Sequence, residues 1–171
     1  MAMAMAMSSY LRRWRLTATA ALLLGASHAS GQAPDVQVAL TGKRVVVTDG
    51  RESLTEADKA KPGDVIQYEA IYRNAGKGAA KGIAATVPVP QGMTFTPESA
   101  KPAGAQASVD GKNFDAIPLM EDVKNAAGVV EKKQVPFARY RAVRWLLPEL
   151  PPGEKATVSI RVRVLSNSVT E

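Results

Sequence analysis

The 171-residue chain contains no cysteine and a single histidine. Without cysteine, an oxidising compartment supplies no disulfide, and the core must be held by packing alone. The histidine, His28, lies near the N-terminus, so the chain beyond it has neither His nor Cys. That excludes Ser-His-Asp and Cys-His catalysis from this region, together with the usual zinc sites. Only carboxylate, lysine or tyrosine chemistry would remain to an enzyme. Long hydrophobic runs are also lacking: Leu16 to Ala26 is an apolar stretch of about eleven residues, well short of the roughly 20 that a membrane-spanning helix needs.

That short run is informative in its setting. Arg12, Arg13 and Arg15 precede it, and the small residues Ser27 and Ala29 follow, which is the layout of a secretory signal cleaved after Ala29. A retained N-terminal anchor is the alternative, and it would need a longer run. Removal of residues 1–29 takes three of the 22 Lys plus Arg and none of the 16 Asp plus Glu, leaving a net charge of +3 where the whole chain has +6. The mature protein is therefore much less basic than the full chain, and a nucleic-acid role loses its compositional support. Residues 30–171 suffice for a single domain with a substantial core.

The rest of the chain has the period of strands. Val36, Val38 and Leu40 alternate with polar or small residues, Thr41-Gly42-Lys43 interrupts, and Arg44-Val45-Val46-Val47-Thr48 resumes. Asp49 to Asp64 reads as a polar loop closing on the Pro62-Gly63 turn. From Val65 to Arg73, Ile66, Tyr68, Ala70 and Tyr72 fall on one face. Asn74-Ala75-Gly76 then turns the chain, Ile83 to Val87 forms a further strand ended by Pro88 and Pro90, and Met93 and Phe95 begin another. Asp110-Gly111 predicts a two-residue hairpin between Ala107-Ser108-Val109 and Asn113-Phe114.

Glu121 to Lys133 reads as a long loop or hairpin. Tyr140 to Leu147 predicts a strand with a bulge near Ala142, because Tyr140 and Ala142 favour one face and Val143 and Trp145 the other. In Ala156 to Val164 the inward set is Val158, Ile160, Val162 and Val164, and a slip of one residue would bury Arg161 and Arg163. Short strands between Pro/Gly turns, with no helical period after the signal, predict an all-β antiparallel sandwich of about seven to nine strands, its core within residues 36–165.

Five segments taken together resemble a known family. They are Lys61-Pro62-Gly63-Asp64 with the Tyr68 to Tyr72 strand, Asn74-Ala75-Gly76, Pro88-Val89-Pro90-Gln91-Gly92-Met93-Thr94-Phe95, Ser108-Val109-Asp110-Gly111, and Arg144-Trp145 leading into Leu150-Pro151-Pro152-Gly153-Glu154. In order and spacing they are similar to the bacterial repeat family known as domain of unknown function number eleven, an immunoglobulin-like module of envelope and surface proteins. At Val87, where that family often has Asp, this chain departs, so no polar or ion-binding role carries over to that position. The resemblance implies export, an immunoglobulin-like sandwich, and structural or adhesive work at the cell envelope, and it transfers no catalytic residue.

Candidate sites are few. Glu121-Asp122 is the one adjacent acidic pair after the signal, readable as an ion site or as solvated loop charge; Asp49-Gly50 and Asp110-Gly111 read as turns. Arg139, Arg141, Arg161 and Arg163 are the candidate contact for an anion or a partner. A hairpin around Pro148 to Gly153 would bring Arg141 and Arg161 together, and like charges side by side suit an acidic partner. A solvated face balanced by Glu69, Glu131 or Glu154 is the other reading. Trp145, with Tyr68, Tyr72 and Tyr140, reads as core or as an exposed platform for sugars.

The expectation is a periplasmic or secreted, non-enzymatic module acting through an envelope or surface protein or an anionic glycan. Neither cofactor nor metal, nucleic acid nor stable membrane span, is expected. A spacer subunit of a larger surface assembly is the alternative.

Overall fold

The computed structural model describes residues 35–166, so the expected export signal lies outside the described residues. The first two β-branched runs form one continuous strand, β1 (Val36–Thr48), rather than two strands parted at Thr41–Lys43. Gly42 accounts for the difference: a Cβ there would sit 2.8 Å from the Tyr68 ring, so the glycine makes room for a tyrosine instead of ending the strand. Asp49 and Gly50 both have positive φ, 50° and 75°, and close a two-residue hairpin with Thr48 opposite Arg51. The stretch read as a loop from Asp49 thus contains β2 (Arg51–Glu56), whose residues are all exposed and leave no apolar period to detect.

The remaining strands are β3 (Val65–Asn74), β4 (Ala84–Pro88), β5 (Met93–Phe95), β6 (Gln106–Ser108), β7 (Asp115–Ala116), β8 (Met120–Lys124), β9 (Val130–Gln134), β10 (Ala142–Leu146) and β11 (Lys155–Val164). Every ladder is antiparallel. The five-stranded sheet runs β2-β1-β3-β11-β5 and the four-stranded sheet β4-β10-β6-β7, while β8 and β9 form a separate hairpin over most of the Glu121 to Lys133 stretch.

The two larger sheets share one core, giving a sandwich-like arrangement. Ile66, Ala70, Val158, Ile160 and Val162 from the first sheet pack with Ala85, Val87, Val143 and Trp145 from the second. Val158, Ile160 and Val162 are buried as their alternation requires, each contributing about 1.5–3 kcal/mol by leaving water. Trp145 belongs to this core and donates its indole N–H to the Pro102 carbonyl at 2.7 Å, so it is no exposed platform.

Two local expectations are corrected. Tyr140 is not in a bulged strand: Phe137–Arg139 form a 3₁₀ turn, and Tyr140 N–H bonds the Phe137 carbonyl at 3.2 Å. β10 therefore starts at Ala142 and keeps one register against β4 through Leu146. The Asp110-Gly111 turn is wider than two residues, since the paired positions are Gln106 with Ala116 and Ala107 with Asp115. Asp110 sets that width: its carboxylate accepts from the backbone N–H groups of Lys112 and Asn113, from the Asn113 amide and from the Ser108 hydroxyl.

A buried asparagine ties two turns together. Asn74 Nδ2 donates to the carbonyls of Gly78 and Leu150, both at 2.8 Å, and its Oδ1 accepts from Gly76 N–H at 3.0 Å. Its backbone N–H bonds Glu154 and its carbonyl Gly153. The Asn74-Ala75-Gly76 turn and the Leu150 to Glu154 turn are thereby fastened face to face.

Candidate functional site

The segment Pro148 to Gly153 carries the chain from β10 in one sheet to β11 in the other, so no hairpin joins them; Arg161 lies within β11, and Arg141 immediately precedes β10 of the other sheet. Each candidate arginine has its own internal partner. Arg161 makes a bidentate pair with Glu52, at 2.9 and 2.7 Å, and its Nε reaches Gln67. Arg163 donates to the Gly63 carbonyl, Arg139 grips Glu121 through Nη1 at 2.7 Å, and Arg141 donates to the carbonyls of Ala138 and Tyr140. The balancing carboxylates are thus Glu52 and Glu121, where the sequence suggested Glu69, Glu131 or Glu154. The juxtaposition of Arg141 with Arg161, the motive for an anion site, is absent from this arrangement.

The Arg161 guanidinium holds the Glu52 carboxyl below the usual carboxylate range by hydrogen bond and charge, while Glu52 raises the arginine in return. The pair lines a polar cleft of about 570 Å³ with Glu69, Glu98, Ser99 and Lys101 on the outer face of the five-stranded sheet. Glu121 is held by Arg139 and Asp122 pairs with Lys132 at 3.1 Å, which leaves that acidic pair bound to cations of the protein itself. Among the described residues no group of three or more His, Asp or Glu side chains is placed to hold a metal ion.

A larger concavity lies at one end of the sandwich. It is a groove of about 810 Å³ lined by Phe95, Pro97, Ala100, Ala103, Ala105, Ile117, Pro118 and Phe137, with Glu98, Gln106 and Gln134 as its polar members. Phe95 at the end of β5 is fixed by two aromatic neighbours, stacking on Tyr140 with centroids 5.7 Å apart and meeting Phe137 at 5.9 Å. Tyr140 is itself immobilised, its hydroxyl accepting Leu119 N–H at 2.8 Å, and burial pushes that hydroxyl's pKa up. Gln106 is engaged by Arg144 at 2.7 Å, and Arg144 in turn lies over the Phe114 ring at 4.0 Å.

Glu98 sits at the mouth of both concavities with φ of 59°. Glutamate occupies there a left-handed position that usually favours glycine or asparagine. Sequence reasoning missed this groove because Thr96 to Ala105 is mostly small residues without a period. Pro97, Pro102 and Gly104 mark the stretch as loop, and nothing in it announces a concave surface.

Chemically the groove can accept an apolar group against its phenylalanines, with one carboxylate at the rim. No protein-family model matches the chain, and neither the curated proteins nor the solved structures give a match.

Proposed function

We propose that this protein is an exported, non-enzymatic immunoglobulin-like module of the bacterial envelope, related to the repeat family named above, and that it works by protein contact in the periplasm or outside the cell. The observation that carries the reading is the apolar groove beside Phe95 and Phe137. Its lining is mostly hydrocarbon on a rigid aromatic floor, and one of its three polar side chains, Gln106, already bonds Arg144. That composition suits an apolar side chain of a partner protein better than a glycan, whose hydroxyls would need more hydrogen-bonding groups than this lining offers. Glu98 at the rim favours a partner with a basic residue beside that anchor.

A photo-crosslinking residue placed at Ile117 in living cells tests this. It should yield one reproducible protein adduct in the envelope fraction, whereas the same residue at Leu146 on the outside of the second sheet should not. Cleaved protein beginning at Ser30, by mass, should accompany the adduct. Uncleaved chain in the cytoplasm, or adducts equal at both positions, would overturn the proposal.

A further inference from the structure

The edge of a sheet presents unpaired N–H and C=O groups on which another strand can add. Two of this molecule's edges are visibly managed. On β4 the Tyr72 hydroxyl serves as both partner groups for Thr86, accepting its N–H at 2.9 Å and donating to its carbonyl at 3.2 Å, and Pro88 closes the strand. On β2 the charges of Arg51, Glu52 and Glu56 guard the edge.

The first half of β1 has no such device. β2 pairs only with Lys43 to Thr48, so Val36 to Gly42 is bonded by β3 on one side and by no described residue on the other. Ala75 N–H donates to the Asp35 carbonyl directly opposite it, at 2.8 Å. Odd-numbered residues of β1 therefore bond β3, and Val36, Val38, Leu40 and Gly42 turn their backbone groups to the open side. The same face of the strand carries Val38 and Leu40, 55% and 47% exposed, because β4 lies over β3 and β11 and not over β1. From Val36 to Gly42 no residue is charged; Asp35 precedes the run and Lys43 follows it.

We propose that this edge pairs with the same edge of a second copy of the chain, antiparallel about a two-fold axis. The alternation of backbone groups fixes the register: outward-turned residues must meet one another, so Val38 meets Val38 at the axis and Val36 meets Leu40 on either side. β2 ends opposite Lys43, and no other described residue pairs with this stretch on its open side. The charges select a second copy as the occupant. A neutral run places no like charges opposite one another when paired with itself. Reversal also sets Asp35 of each copy across from Thr41 and diagonal to Lys43 of the other, an attraction that the symmetry makes twice. On the inner face Val36, Val38 and Leu40 of both copies form one apolar cluster.

Sedimentation equilibrium on the whole chain, as the cell processes it, should give a dimer at micromolar concentration. Val38→Lys, which sets two ammonium groups face to face at the axis, should weaken association at least tenfold while leaving the circular dichroism of the folded chain unchanged. Val38→Cys would be the one thiol in a cysteine-free chain; paired residues at the axis lie about 5.5 Å apart by Cα, so a short thiol cross-linker should join the copies. Leu146→Cys, 68% exposed on the other sheet, should stay unjoined. A monomer at every concentration, a dimer indifferent to Val38→Lys, or equal joining through Leu146→Cys would overturn the proposal. So would a monomer that gains mass only with an added strand peptide, since the edge would then belong to a different partner.

Discussion

Deleting the amide of Asn74 should be among the most damaging single changes in this protein. The side chain is fully buried and satisfies the carbonyls of Gly78 and Leu150 and the N–H of Gly76. Asn74→Ala strands those backbone groups and opens a cavity, which together should cost about 2–4 kcal/mol, read as a lower urea midpoint. A surface pair makes the contrast: Arg161 and Glu52 meet at 2.7 Å but are 32% and 52% exposed, and water and salt screen such pairs so that losing one should barely move the same midpoint. The sequence places Asn74 in a turn of flexible residues, and the structure makes that turn a clasp. The difference was illegible because the partner, Leu150, lies 76 positions away. The arginines were misjudged for the same reason, since Glu52 is 109 positions from Arg161 and belongs to a strand that has no apolar pattern.

Among the elements, those with one dry and one wet face were readable: β11 follows its alternation, and β3 does so except at Gln67 to Glu69, where three successive residues are half-buried. Elements lacking that asymmetry were not. β2 is wet on both faces, and β1 crosses a glycine that serves a ring rather than a turn. The β6–β7 loop shows side-chain chemistry outweighing a dipeptide signal, because the Asp110 carboxylate gathers N–H groups that a two-residue turn would not present. Hydrogen bonds from Asn113 and Lys112 N–H, then from the Ser108 hydroxyl, hold the Asp110 pKa well below the ordinary aspartate value. The unfolded chain takes up this proton near pH 4, and the folded one only at much lower pH. The loop's contribution to stability is therefore present at neutral pH and fades as the pH falls below about 4. Asp110→Ala should remove that part of the acid dependence, so denaturation midpoints of wild type and variant should converge between pH 4 and pH 2.

For the molecule as a whole, the all-β antiparallel architecture was legible from strand period and Pro/Gly punctuation. The groove was not, because its walls come from Phe95, the Ala/Pro loop beyond it, Ile117 and Phe137, which only the fold brings together. The ladder order of the five-stranded sheet has a mechanical consequence. β1 and β11 flank β3 and both run opposite to it; β1 begins beside Asn74, and β11 ends beside Val65 at the other end of the same strand. Tension between Asp35 and Ser166 would pass along the strands, loading both ladders lengthwise so that their hydrogen bonds must break together rather than one by one. Single-molecule stretching through these two points should meet a high, abrupt rupture force. Pulling instead from Thr48 and Val164, which peels β1 from its end, should unzip the sheet at a much lower one.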